Sequence, residues 1–378
     1  MEGALAGVRV IEFANYVSGP YAGMLLGDLG ADVIKIEEPT RGDPFRGWGR
    51  VDYSPTFASV NRNKKSVTID LKSEAGKADA RALVAGADVV IENFRPGTME
   101  RLGLGYDAFK ADHPSLVWCS ITGFGNDGPY AHRPGYDTVG VAMSGLLSLL
   151  TDPANPQPMG ISLSDHLAGI TACNGILAAL VARGRTGRGQ RIDTSLLESS
   201  ISFCGENMAR YFDNGKVPFR ATRTRQAQVY AFPAGDGKAL VVHLSSPTKF
   251  WRALCEVVGK TEWLEDPRFA TKESRGKNYD ALHEGLSQVL ATQPRLYWLE
   301  KLEAADVPCS PLNTFDDVFD DPQVKHLGMK VEAPHPTLGK IELVRNGLRM
   351  SDTPVLTHRG PPELGEHNDE FLQSKKHK

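Results

Sequence analysis

GVRVIEFANYVSGPYAGMLLGDLGADVIKIE, residues 7–37, is the stretch that decides the fold. Val8, Val10 and Ile11 are β-formers in a short apolar run, and a turn cluster, ANYVSGP, follows it. YAGMLLGDLGA then reads as a short helix, with Pro20 near its first turn, where a missing N–H costs nothing. DVIKIE is a second buried run. Strand, helix and strand within about thirty residues form a βαβ unit, and such a unit requires parallel strands.

The alternation continues outward. SVTIDLK, DVVIENF, LVWCSITGF and RIDTSLL read as further strands. Helical patterns lie between them in EAGKADARALVAGA, around MERLG and YDAFKAD, in GYDTVGVAMSGLLSLL, and from Leu167 to Val181; a last one runs through roughly Arg210. Residues 1–213 therefore read as a large α/β domain on a parallel sheet. NGKVPFRATRTRQAQ, residues 214–228, is basic, polar and aperiodic, as a linker would be. Residues 229–325 open on a hairpin, VYAFPAGDGKALVVHLS, and continue into helices, which gives a smaller α+β domain. Strand-and-turn texture returns over residues 326–378, and no internal repeat is visible.

The 378 residues are 41% hydrophobic and 24% charged with a formal net charge of -3, a globular profile that gives no support for nucleic-acid binding. No run reads as long enough to span a membrane, and residues 1–8 lack the build of a signal peptide. Five scattered cysteines form no CxxC pair, so neither a zinc site nor a disulfide framework is expected, and a reducing cytoplasm suits them. The ten histidines show no metal spacing. The basic tail SKKHK reads as frayed.

GFGNDG, residues 123–128, matches a dinucleotide fingerprint in letters only, since Pro129 and Pro134 follow where a helix should open. GRTGRGQ lacks the Lys-Ser/Thr ending of a phosphate loop and reads as a helix-to-strand turn. No Gly-x-Ser-x-Gly elbow occurs. Two features remain. Asp165, with Ser164, stands at the mouth of an apolar helix, where local pattern gives it the part of an N-cap. Gly169 and Gly175 in that helix would admit another backbone. Cations also gather around predicted strand ends: Arg41 and Arg46 near Trp48; Arg62, Lys64, Lys65 and Lys72; Arg95 and Arg101 near Asn93 and Phe94. Such a set suits a ligand carrying several phosphates and a base, bound beyond the carboxyl ends of parallel strands.

GVRVIEF, SGPYAGMLLGDLGADVIKIE, NRNKKSVTIDLK, ENFRPGTMERLG, SITGFGNDGPY, RPGYD and TGRGQRID, in one register from Gly7 to about Arg210, with LGEH near the C-terminus, together resemble the class III coenzyme A transferases of the CaiB/BaiF type. The resemblance implies a Rossmann-like large domain, a small domain and an interlocked homodimer. It implies a coenzyme A thioester as substrate, a small carboxylic acid as partner, and no permanently bound cofactor, metal, nucleic acid or membrane. Asp165 falls where the transferases carry a nucleophile that forms an aspartyl anhydride and then an aspartyl-CoA thioester. Val17, Ser18, Ile69, Asp70, Leu71, Lys72, Asn93, Phe94, Arg95, Arg101 and Tyr136 fall at coenzyme A-contacting positions. Glu38 stands where relatives carry a cation, with Arg41 or Arg46 as substitutes, and Val17 stands where the oxalate enzyme holds its substrate with glutamine. A carboxylate held close to a thioester and shielded from water suits this chemistry.

Two alternatives compete. A 2-methylacyl-CoA racemase would need two opposed acid/base groups, and Tyr136 stands where the racemases have histidine; a phenol is a poor base at neutral pH. A coenzyme A-binding protein without turnover has no need of Asp165.

Overall fold

A computed structural model describes residues 2–50, 53–245, 248–357 and 359–372; the basic tail lies outside the described residues. The chain divides into two compact units. One comprises Met1–Leu147, Gln157–Phe212 and Lys325–Lys378, and the other Ser148–Pro156 and Asp213–Val324.

In the first unit, β1 (Arg9–Phe13), α1 (Ser18–Asp28) and β2 (Asp32–Glu37) form the opening βαβ unit, with Val10 beside Val33 and Ile11 beside Ile34 in parallel register. After α2 (Pro55–Asn61) come β3 (Lys64–Thr68), α3 (Glu74–Ala85), β4 (Val89–Glu92), α4 (Thr98–Arg101) and β5 (Val117–Thr122). Next in the chain are α5 (Asp137–Met143), α6 (Leu146–Leu150, whose last three residues belong to the second unit), α7 (Leu163–Thr186), β6 (Arg191–Ser195), α8 (Leu196–Phe203) and α9 (Gly205–Asn214, whose last two belong to the second unit). The sheet runs β3-β2-β1-β4-β5-β6 with every pair parallel. Strand order therefore reverses between β1 and β4, which opens a crevice at their carboxyl ends.

Alternate residues of each strand feed opposite cores. Val10, Val33, Val89, Ile91 and Cys119 pack with Ala22 and Leu26 of α1 and with Ala168, Ala172 and Ile176 of α7. Ile11, Phe13, Ile34, Val90 and Trp118 pack on the other face with Ala80 and Val84 of α3. Burial on both faces explains the apolar runs of these strands, and the charges they carry, Glu12, Lys35 and Lys64 among them, are paired inside the fold.

Several sequence expectations need correction. Helix α7 begins at Leu163 and ends at Gly187, whose φ of 69° suits a glycine closing a helix. Its mean hydropathy of 1.5 over 18 residues makes it long and apolar enough to cross a bilayer by length and composition, which the reading of the sequence had denied. It packs here on α1, α8, β5 and β6, so it is the sheet's covering helix. A Cβ at Gly169 would meet the Ser18 carbonyl at 2.8 Å, so this glycine does admit a backbone; at Gly175 the neighbour is the Ile192 side chain. The GYDTVGVAMSGLLSLL run breaks at Gly145, φ 83°, into α5 and α6. Residues 214–228 are not wholly irregular, since Thr222–Ala227 forms a helical turn whose Arg225 pairs with Asp280 at 2.8 Å.

The second unit carries an antiparallel sheet, β7 (Val229–Pro233), β8 (Ala239–His243) and β9 (Cys309–Pro311), over a core that includes Tyr230, Phe232, Trp251, Leu286 and Trp298. The hairpin β10 (Lys330–His335) and β11 (Gly339–Val344) belongs to the first unit.

Candidate active site

The loops after β1, β4 and β5 enclose a cavity of about 240 Å³ at the crevice. Asn15, Tyr16, Val17 and Ser18 come from the first loop, Asn93, Phe94, Arg95 and Pro96 from the second, and Thr122, Gly123 and Arg133–Tyr136 from the third. Ile121, Ala131, Asp165 and Leu196 complete the lining. Seven residues singled out from sequence thus meet here: Val17, Ser18, Asn93, Phe94, Arg95, Tyr136 and Asp165.

Hydrogen bonds tie the first two loops together. Asn93 accepts from the Asn15 N–H at 2.9 Å and its amide donates to the Asn15 carbonyl at 2.8 Å. Beneath them, Glu92 accepts from the Phe94 N–H at 2.9 Å and from Ser120 Oγ, and burial pushes its carboxyl up to about 7.

Asp165 is not the cap of its helix. The N-cap is Ser162, whose side chain makes no capping bond. Asp137, the first residue of α5, does that work from outside: its Oδ1 accepts from the Asp165 N–H at 3.2 Å and from Ser164 Oγ at 3.1 Å. Asp137 thus takes up one free backbone donor of the α7 mouth and the Ser164 hydroxyl, and the Asp165 carboxylate faces the cavity without a hydrogen-bond partner among the described residues. Burial first, and the charge of Asp137 second, push Asp165 up to about 7. Asp137→Asn keeps an acceptor oxygen and removes the charge. The acidic limb of kcat/KM is expected to move to lower pH in that variant, read from a pH profile of the free enzyme; an unmoved limb would remove Asp137 from this role.

Tyr16 was not singled out from sequence. Its φ of 64° is in the left-handed region, where a bulky residue is strained. Asp43 holds it there by accepting the Tyr16 N–H at 3.2 Å, while the Tyr16 ring stands edge-on to Phe45 and Tyr136. Asp43 is in turn part of a fully buried ionic cluster. Lys35 Nζ lies 2.9 Å from Asp43 and 3.0 Å from Glu12, and donates to the Ala14 carbonyl at 2.6 Å. Lys64 Nζ lies 2.8 Å from the other Glu12 oxygen and donates to Pro20 and Asn61.

Much of the expected cation set is therefore structural. Lys64 is the one just described. Arg62 forks onto buried Asp28 at 2.8 and 2.5 Å, and Lys65 pairs with Asp32 and Glu370. Both lysines lie at the amino end of β3, away from the ligand side of a parallel sheet. Arg46 forks onto Glu37 at 2.7 Å twice and lies over the Phe57 ring, so it is not a substitute for the cation missing at Glu38. Glu38 accepts from the Arg41 N–H at 2.8 Å, and Arg41 itself is exposed after β2. Ile69, Asp70, Leu71 and Lys72 lie just past the carboxyl end of β3, where Asp70 accepts from the Lys72 N–H at 3.0 Å. Arg101 closes α4 and donates to Thr98 at 2.9 Å. None of these six (Arg41, Ile69, Asp70, Leu71, Lys72, Arg101) lines the cavity around Asp165.

Residues 5–368 match the profile of CoA-transferase family III. The chain belongs to CoA-transferase family III. This CoA-transferase is 37% identical to the succinyl-CoA:glutarate CoA-transferase of Mus musculus over 98% of this chain and 86% of that protein. It is 35% identical to the succinate–glutarate CoA-transferase of Agrobacterium fabrum over 97% of this chain and 94% of that one. A CaiB/BaiF family protein from Brucella suis, solved by crystallography, superposes with a TM-score of 0.87 at 36% identity, covering 98% of each chain. The family III transferase thus takes coenzyme A thioesters as substrates, and its first unit is built on the six-stranded parallel sheet described above.

Proposed function

We propose that the enzyme moves coenzyme A from an acyl-CoA to a free carboxylic acid through covalent intermediates on Asp165. The observation that carries this is one half-buried, cavity-facing carboxylate with no hydrogen-bond donor among the described residues, at the crevice of a family III transferase. As the anion, Asp165 attacks the thioester carbonyl; the C–S bond breaks and a mixed anhydride forms as coenzyme A thiolate leaves. The thiolate attacks the Asp165 carbonyl carbon, the donor acid departs as carboxylate, and an aspartyl-CoA thioester remains. The acceptor carboxylate repeats the first step on that thioester. The thiolate then attacks the acceptor's carbonyl carbon and frees Asp165.

Val17, Ser18, Asn93, Phe94, Arg95 and Tyr136 would line the thioester end. The Ile69–Lys72 turn, Arg41 and Arg101 lie on further carboxyl-end loops and would meet the phosphates and base. No resident cofactor is needed. The mouse and Agrobacterium enzymes are named for succinate and glutarate, and a Chloroflexus aurantiacus relative at 35% identity for succinyl-CoA and D-citramalate. We assign a dicarboxylic acid to at least one side of the exchange here. Racemisation is disfavoured because Tyr136 and Asp165 line one cavity without a second ordinary base between them.

The test is trapping. Acyl-CoA without acceptor should leave an adduct on the peptide bearing Asp165, and hydroxylamine should convert it to a hydroxamate, since anhydrides and thioesters both react with it. Saturating binding with no hydroxamate would end the covalent reading.

An interlocked homodimer is part of the same reading. Apolar side chains stand uncovered on one chain: Val181 of α7 is 65% exposed, Phe212 of α9 78% and Val217 76%. α9 has no buried residue at all despite carrying Met208, Tyr211 and Phe212. Threaded chains cannot separate without unfolding. Dilution to nanomolar concentration should leave a dimer, with negligible subunit exchange between tagged pools; a monomer on dilution would contradict it.

A further inference from the structure

We infer that Arg133 is the residue that selects a dicarboxylic acid, by receiving the carboxylate that does not react. The inference rests on the transferase reading of Asp165 above and goes beyond it in naming what reads the acid. Arg133 lines the same cavity as Asp165, on the loop between β5 and α5. Its surroundings hold the guanidinium without neutralising it. The charge lies over the Tyr130 ring at 4.5 Å and near the Phe124 ring at 5.4 Å, on an exposed side chain that pairs with no described carboxylate. Arg46, Arg62 and Arg183 are each tied to an acid, and Arg95, the other arginine lining the cavity, shares with Arg133 the lack of a described carboxylate but not the aromatic rings.

Aromatic rings attract the guanidinium charge without accepting all its N–H donors, so a fork remains for a carboxylate to accept from. The loop that carries it is also fixed. A Cβ on Gly123 would lie 2.8 Å from the Gly135 Cα, so the two ends of the loop touch through their backbones. A reacting carboxylate at Asp165 and a second, non-reacting one at Arg133 describe a short diacid or its mono-CoA thioester. A monocarboxylic acid of the same length would leave the cation unanswered.

The experiment compares wild type with Arg133→Gln and Arg133→Lys. The donor is butyryl-CoA, which has no second carboxylate, and the acceptors are glutarate and its length-matched monoacid, valerate. In wild type kcat/KM should favour glutarate. In Arg133→Gln the glutarate-to-valerate ratio should collapse by about 10- to 100-fold, the range for a hydrogen-bonded pair with a charged group, mainly through the KM of glutarate. Arg133→Lys should recover part of the ratio, since it restores the charge without the fork. An unchanged ratio overturns the inference, as does an equal loss for both acids together with weaker binding of coenzyme A alone, which would make Arg133 a phosphate contact. Failure of wild type to transfer to any acid from either butyryl-CoA or succinyl-CoA would instead overturn the transferase reading, so the two failures are distinct.

Discussion

Asp165→Asn is expected to lose turnover by on the order of 10³-fold or more while binding acyl-CoA within about a factor of ten of wild type. The amide is close in shape but cannot form the anhydride. Because Asp137 and not Asp165 occupies the α7 mouth, the substitution removes no capping bond. Stability should rise, with a definite pH dependence. A carboxyl raised to about 7 in the fold is ionised more easily in the unfolded chain. Below about pH 4 the acid is protonated in both states and costs nothing. As pH climbs toward 7 the wild type is progressively destabilised relative to the variant, and above 7 the difference levels off. Denaturant midpoints at pH 4 and pH 8 should therefore separate, by about 1–3 kcal/mol at the higher pH. Near wild-type turnover in this variant would refute the mechanism, whatever its stability.

Lys35→Met should be the most damaging change outside the cavity. It leaves Asp43 and one Glu12 oxygen buried without their cation, and breaking a buried pair from one side costs about 3–5 kcal/mol. The loss should be visible as a lower urea midpoint with an unchanged slope. Function should suffer through geometry as well. Lys35 anchors both the Ala14 carbonyl and Asp43, and Asp43 keeps Tyr16 in its left-handed turn. Acyl-CoA affinity should fall in protein that is still fully folded. A midpoint within about 0.5 kcal/mol of wild type would show that the cluster is not what holds this loop.

The parallel sheet was legible because its central strands, buried on both faces, carry apolar pairs such as Val10–Ile11, Val33–Ile34 and Val89–Val90 at neighbouring positions without strict alternation. The crevice residues were legible wherever a motif coincided with a strand end, as in Asn93–Arg95. Charges were harder. Lys64, Arg62 and Arg46 read as ligand cations because sequence shows a charge but not its partner, and Glu12, Asp28 and Glu37 lie 52, 34 and 9 positions away. The cap of α7 was misread for the same reason: Asp137 stands 28 residues before the N–H it accepts. Tyr16 gave no signal, since nothing in ANYVSGP marks a tyrosine at positive φ. Arg133 did have one, the arginine of RPGYD, but the aromatic rings that hold it and its lack of an acid became visible only with the loop folded.

The position of Asp137 also bears on the energetics of the intermediates. An acid's anhydrides and thioesters have a group-transfer potential that falls as the acid becomes weaker, by up to about 1.4 kcal/mol per pKa unit. An Asp165 weakened by its buried setting and by Asp137 forms bonds less activated than an ordinary aspartate would. On the proposed pathway this lowers the enzyme-bound anhydride and thioester toward the level of the bound acyl-CoA. The covalent steps on Asp165 are then easier to enter than on an ordinary aspartate, as suits a catalyst whose substrates and products are two acids of similar strength.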